Sequence, residues 1–260
     1  MTPLDILYTP LDVPPVPEFD VDKFLNWCKN NGPVQDIYNR KDASKKTDSK
    51  IYPWNIAYAK SAGNWHSDFC EQFPQLAKYF TEAFGLTDKD VGEIVLLPVK
   101  QGFNGLGFWH SDPDEHGLRF YLANEDTENS LLIKPTKEPY DKRPDVIVNR
   151  VEPSPHVQDK EYSAKIISPQ QAFFLNNIRA IHAVKTNKPD ALRIAVIIGG
   201  LGPILRMRPS LKNLIVQSAQ KYSDAAIMWT PEQNLVQPPG IEPGSTDLQT
   251  AAMTTSAKVA

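Results

Sequence analysis

Between Val91 and Gly200 the chain runs in short apolar bursts set apart by Pro, Gly, Asn and Asp clusters. The bursts read EIVLLPV, GFWHS, LRFYLA, SLLIK, DVIVNRV, AKIIS, AFFLN, AIHAV and LRIAVII. Each has the length and β-branched or aromatic content of a strand. A parallel sheet requires a crossover of about a dozen residues between successive strands, usually a helix. Nothing of that length with helical spacing separates these bursts, so a βαβ sheet is excluded. What remains is a mainly β chain with flanking helices: a sandwich, a barrel or a jelly roll built on antiparallel pairs.

The flanks carry a different period. Residues 1–90 read as a helical and irregular extension packing on that core. In DVDKFLNWCKNNG, Asp20 suits an N-cap, Val21, Phe24, Leu25 and Cys28 share a helical face, and Gly32 follows the end. In PQLAKYFTEAFG, Pro74 suits the first turn, Leu76, Ala77, Phe80 and Phe84 form a stripe, and Gly85 suits the exit. The polar Lys41–Lys50 stretch is expected to be a solvated loop. The core then spans residues 91–205, with 126–168 as an insertion too long for a hairpin and expected to form a lid or side wall. Residues 206–228 read as a C-terminal helix with Leu211, Leu214, Ile215 and Tyr222 on one face. From 229 to 260 a Pro-, Gly-, Thr- and Ala-rich composition predicts a disordered tail.

Composition narrows the partners. A formal net charge of −3 gives no global basic field to gather nucleic acid or anionic lipid. The most apolar stretch, Ile194 to Leu205, is shorter than the roughly 20 residues a membrane helix needs and is broken by Gly and Pro. The acidic, Pro-rich N-terminus has no basic start followed by an apolar region, so an intracellular, cytoplasmic protein is expected. Cys28 and Cys70 fall in helical segments without zinc-type spacing, and are expected to be free thiols.

The chemistry concentrates in GFWHSDPDEHGLRFYL, residues 107–122. On a strand, positions i and i+2 project from one face, so His110 and Asp112 can point at a common centre while Ser111 points away. A third ligand must come from elsewhere, and His182, in a later strand-like run, is the candidate. Two imidazoles and one carboxylate on one side, leaving the other side open, form the facial triad of non-haem Fe(II) oxygenases. Arg193 heads the next apolar strand, where a lone buried guanidinium is costly, so it should have a dedicated anionic partner. Asp114 competes with Asp112, but Pro113 should break the strand and aim Asp114 away. His116 suits an exposed or supporting position. In LRFYL the alternation sets Arg119 and Tyr121 on the face opposite Leu118, Phe120 and Leu122. Trp109 beside the first ligand, and Asn176 and Asn177 at a strand end, complete the candidate residues.

The order HxD, a distant His, then Arg about ten residues later resembles the 2-oxoglutarate/Fe(II)-dependent dioxygenases. The segment FFLNNIRAIHAVKTNKPDALRIAVII looks more particularly like their aspartyl/asparaginyl β-hydroxylase-like branch. The resemblance covers roughly Val91 to Gly200. It implies a double-stranded β-helix (jelly roll, cupin-like) core, with His110, Asp112 and His182 on Fe(II), Arg193 on the far carboxylate of 2-oxoglutarate, and O2 as co-reactant. It places Arg119 at a substrate or cosubstrate contact, as do Tyr121 for the cosubstrate and Trp109 and Asn176 for the substrate in the reading of the residues themselves. Membrane-anchored members of the branch lack the carboxylate ligand that Asp112 supplies here. The implied activity is hydroxylation of an amino-acid or peptidyl side chain, a small-molecule or peptide partner rather than nucleic acid or membrane, with succinate and CO2 released. Two rivals stand beside it: a nucleic-acid or other small-molecule oxygenase of the superfamily, and a non-catalytic cupin-like binding protein.

Overall fold

The computed structural model describes residues 1–32, 34–35, 54–99, 105–106, 109–112, 117–128, 130–137, 157–188, 190–200 and 207–230. The chain opens with β1 (Ile6–Pro10), α1 (Val21–Asn31), β2 (Val34–Gln35), β3 (Trp54–Asn55), β4 (Ala57–Ser61), β5 (Asn64–Trp65), α2 (Ser67–Gln72) and α3 (Pro74–Glu82). Next come β6 (Glu93–Val99), β7 (Gly105–Leu106), β8 (Leu118–Asn124), β9 (Leu131–Pro135), β10 (Tyr162–Ser163), β11 (Gln171–Leu175), β12 (Ala180–Thr186) and β13 (Arg193–Gly199). α4 (Pro209–Lys221) and β14 (Ile227–Met228) close the described part.

β6 to β13 sort into two antiparallel sheets, ordered β11-β8-β13-β6 and β10-β9-β12-β7. The chain crosses between the sheets at every step except β9 to β10, and that alternation is a double-stranded β-helix, the jelly roll expected. The larger sheet continues as β1 and β14 beyond β11, and as β4 and β5 beyond β6.

These added strands correct the reading of residues 1–90 as a helical and irregular extension. Ile6, Leu7 and Tyr8 have no exposed surface, and β1 lies between β14 and β11. The helices in that region are as expected: Asp20 caps α1 by accepting from the Lys23 N–H at 3.0 Å, and Pro74 opens α3. Gly32 is required for space, since a Cβ there would lie 2.8 Å from both the Cys28 and Ile56 carbonyl oxygens. Cys28 and Cys70 are free thiols. At the other end, α4 stops at Lys221 and Ile227–Met228 pairs with β1, where a continuous helix was expected. The tail expected from residue 229 is set too early: the Trp229 N–H donates to Asp5 O at 2.8 Å, and Thr230 O accepts from Gln158 Nε2 at 3.1 Å. The run AKIIS holds no strand; its place in the small sheet is taken by β10 just before it. The Lys41–Lys50 loop, the DVIVNRV run, the middle of the 126–168 insertion, Asp114, His116 and residues 231–260 lie outside the described residues.

Alternation along β8 builds two apolar layers. Leu118, Phe120 and Leu122 face the helices, with the Phe120 ring centroid 4.6 Å from Phe84 and 5.8 Å from Phe80. Arg119 and Tyr121 face inward, toward the smaller sheet. The β8–β13 register slips between Ile194, opposite Ala123, and Ala195, opposite Tyr121. Leu122 is the extra residue of this bulge, and it turns Asn124 onto the same inner face as Arg119 and Tyr121.

Candidate metal centre

Directly opposed residues of an antiparallel pair project from one face. His110 and His182 are such a pair: the His110 N–H donates to His182 O at 3.0 Å and the His182 N–H to His110 O at 2.8 Å. Their imidazoles therefore lie side by side, ring centroids 4.2 Å apart. Asp112, two residues past His110, brings its carboxylate to both, Oδ1 at 3.7 Å from His110 Nε2 and Oδ2 at 3.5 Å from His182 Nε2. One donor atom from each of the three lies within 4.8 Å of the others. The sequence expectation that these distant segments converge is thus met by the geometry.

Burial and neighbouring charge set the protonation of these groups. His182 is 2% exposed, which disfavours its cation, and His110 and Arg119 oppose the charge further; Asp112 pulls the other way but loses. The His182 pKa lies well below the ordinary histidine value, so the ring is neutral at neutral pH and keeps a lone pair for a metal. Burial pushes the Asp112 carboxyl up, yet the charges of Arg119, His182 and His110 together hold it well below the usual carboxylate range. Asp112 is therefore an anion throughout the physiological range.

Arg119 is buried and turned onto this cluster rather than left open to a substrate. Its Nη2 donates to Asp112 Oδ2 at 2.5 Å and to Asn177 Oδ1 at 3.3 Å, and Nη1 stands 3.3 Å from His182 Nε2. Asn177 also accepts from Ser111 Oγ through its carbonyl oxygen, at 2.7 Å. Its neighbour Asn176, the residue expected at the substrate, is spent elsewhere: Nδ2 donates to Ile6 O and Pro3 O, and Oδ1 accepts from the Ile178 and Arg179 N–H groups. Asn176 thus ties the β11–β12 turn to the N-terminus. Trp109 is a second correction. It packs with Leu132, Ile181 and Ala183 on the outer face of the smaller sheet, under the Lys134 ammonium, while His182 lies on the inner face. Period two puts adjacent residues on opposite sides, and Trp109 adjoins His110.

Arg193 sits on the inner face of β13, 5% exposed. Nε donates to Asn124 Oδ1 at 3.4 Å and Nη2 to Lys185 O at 3.3 Å, both neutral acceptors. No carboxylate pairs with it among the described residues. Tyr121 shares this space, its hydroxyl pKa raised by burial against the opposing charges of Arg193 and Arg119. Asn124 Nδ2 and Ser130 Oγ are buried without hydrogen-bond partners among the described residues. Asn124 was not legible in the sequence, because the bulge that turns it inward leaves no pattern. The turn before Arg193 is held by buried Asp126, which accepts from the Asn187 N–H at 2.7 Å and the Lys188 N–H at 3.3 Å.

No protein-family model and no curated protein sequence matches the chain. Among solved structures it is similar to the non-heme alpha ketoglutarate dependent epimerase SnoN from nogalamycin biosynthesis, at 12% identity over 75% of this chain and 79% of that one, TM-score 0.39. It is similar to EctD from S. alaskensis with 2-oxoglutarate and 5-hydroxyectoine, at 13% identity over 80% of each chain, TM-score 0.38. EvdO2 from Micromonospora carbonacea var. aurantiaca is 10% identical over 80% of this chain and 92% of that one, TM-score 0.40. Likenesses this distant carry neither fold nor activity across. No helix among the described residues is long and apolar enough to cross a membrane.

Proposed function

We propose that the protein is an Fe(II)- and 2-oxoglutarate-dependent dioxygenase that hydroxylates an amino-acid or peptidyl side chain and releases succinate and CO2. One observation carries this reading: two imidazoles and a carboxylate from separate segments converge inside a jelly roll, and a buried arginine, with no carboxylate partner among the described residues, sits on the inner face of the same barrel. The donors fit the metal. Neutral imidazole and ionised carboxylate suit Fe(II).

His110, Asp112 and His182 would hold the iron, and Arg193, with Tyr121 beside it, would receive the far carboxylate of 2-oxoglutarate. Bound iron, cosubstrate and O2 together supply the oxidising power that no protein side chain has. The chain's own work is placement. Among the described residues the partners of the Arg193 guanidinium, Asn124 Oδ1 and Lys185 O, are neutral, and a bidentate carboxylate would balance its charge. The apolar lining of Leu131, Ile133, Phe173 and Tyr121 between the sheets excludes water from that end. Burial and the neighbouring positive charge of Arg119 keep His182 neutral, so no side chain needs to take a proton from it for the ligand set to form.

An amino-acid or peptide substrate rests on the resemblance to the β-hydroxylase-like branch, since Arg119 is committed to Asp112. The net charge of −3 supports a partner that is not nucleic acid. Under anaerobic conditions, Fe(II) and 2-oxoglutarate added together to the purified protein are expected to give a weak visible charge-transfer band that neither gives alone. His182→Ala and Asp112→Ala are expected to lose it, together with succinate formation stimulated by free amino acids or short peptides. A band that survives in His182→Ala removes the assignment.

A further inference from the structure

The contact between Arg119 and Asp112 sets a cation inside a site that is itself built for one. Nη2 occupies one oxygen of the carboxylate, and Nη1 lies 3.3 Å from His182 Nε2. With the imidazoles neutral, as ligation requires, Asp112 and Arg119 cancel and the ligand set carries no net charge before a metal arrives. Arg119 is 7% exposed and comes from the larger sheet, while both histidines sit on the His110–His182 bridge at the smaller one. Its guanidinium therefore fastens the ligand set across the interior of the barrel. Its Nε is buried with no hydrogen-bond partner among the described residues, so the fork is spent on the ligands at the expense of its own third donor.

We propose that Arg119 is a placeholder cation: it holds Asp112 and His182 in register while no metal is bound, and it lowers the affinity of the site for a divalent metal, which must displace it from His182. This rests on the metal reading above, and concerns how readily the site loads rather than what it oxidises. Two effects act in the same direction. An entering dication must break the guanidinium contact at His182 Nε2, and it must then lie close to a buried positive charge that the low-dielectric interior screens weakly. A residue that merely supported Asp112 would have the opposite signature, because removing it would disorder a ligand and weaken binding.

The test is a Co(II) titration of the metal-free full chain, followed by the visible d–d absorbance of the bound ion, in wild type, Arg119→Gln, Arg119→Lys, Asn177→Asp and His182→Ala. Arg119→Gln removes the charge and is expected to bind Co(II) at least about tenfold more tightly, a change of about 1.4 kcal/mol. Arg119→Lys keeps the charge and should stay within about threefold of wild type. Asn177→Asp leaves Arg119 in place but gives it a carboxylate of its own at a position already 3.3 Å away, and is expected to shift affinity in the same direction as Arg119→Gln. Co(II) should also raise the Tm of Arg119→Gln by more than it raises that of wild type. If Arg119→Gln fails to fold, Asn177→Asp decides alone. Wild type that binds Co(II), His182→Ala that does not, and neither neutralising variant binding more tightly would overturn the placeholder role while leaving the metal site intact. Wild type that does not bind Co(II), or His182→Ala that binds it equally well, would overturn both.

Discussion

His182 shows what burial does to one side chain. In the unfolded chain its imidazole takes a proton near pH 6.5, whereas in the fold burial and the neighbouring positive groups keep it neutral well below that. Between those values the unfolded state binds more protons, so the stability of the metal-free protein falls as pH falls. The slope from this one residue reaches at most about 1.4 kcal/mol per pH unit. Asp112 is held below its ordinary value and adds a loss of the same sign only under about pH 4. Denaturant midpoints measured from pH 7.5 to 5.0 are therefore expected to fall in wild type and to flatten in His182→Asn. Equal slopes would mean that His182 takes its proton as readily in the fold as in the unfolded chain. The residue scale also shows where a motif misleads. Asn176 and Asn177 are the same residue type in sequence, but one caps a turn and the other reaches Arg119.

At the scale of elements, β8 was readable and its partner strand was readable, but the join between them was not. Alternation in LRFYL assigned Arg119 and Tyr121 to one face and Phe120 to the other, which is where they are. The bulge at Leu122 broke the alternation and brought Asn124 to Arg193, and no residue in LRFYLAN announces it. The β12–β13 turn behaves similarly: its shape depends on Asp126, at the end of another strand. Removing that carboxylate leaves the Asn187 and Lys188 N–H groups without their acceptor, at a cost of about 1–3 kcal/mol. Because the turn leads into Arg193, Asp126→Ala is expected to weaken 2-oxoglutarate binding several-fold, read by calorimetry on the Co(II)-loaded protein, with Co(II) affinity itself unchanged. A loss confined to Co(II) affinity would detach the turn from the cosubstrate end.

For the molecule as a whole, Met1–Thr230 forms one compact unit, N-terminal strand included. β1 lies between β11 and β14, so deleting residues 1–11 would strip the hydrogen-bonded edge of β11 and expose apolar surface from both core layers. Burial of each large side chain there contributes roughly 1.5–3 kcal/mol, and marginal stability cannot absorb several such losses. The shortened chain is expected to be insoluble or to lack a cooperative thermal transition. A soluble product with the full-length Tm would make β1 dispensable after all.

Local rules fixed what depends on neighbours in the chain: strand period from Glu93 to Gly199, the Asp20 cap of α1, the Pro74 start of α3, and the shared direction of His110 and Asp112, which follows from their spacing of two. Tertiary structure alone decided what depends on contacts between distant segments. Pairing His110 with His182 made a centre out of two fragments, the β8 bulge delivered Asn124, and the crossing of the larger sheet over the smaller one placed Arg119 on Asp112. A strand's own sequence sets which of its faces is apolar, but the energy that chooses a partner strand, a register and a bulge comes from packing summed over the whole barrel, and no short stretch contains it.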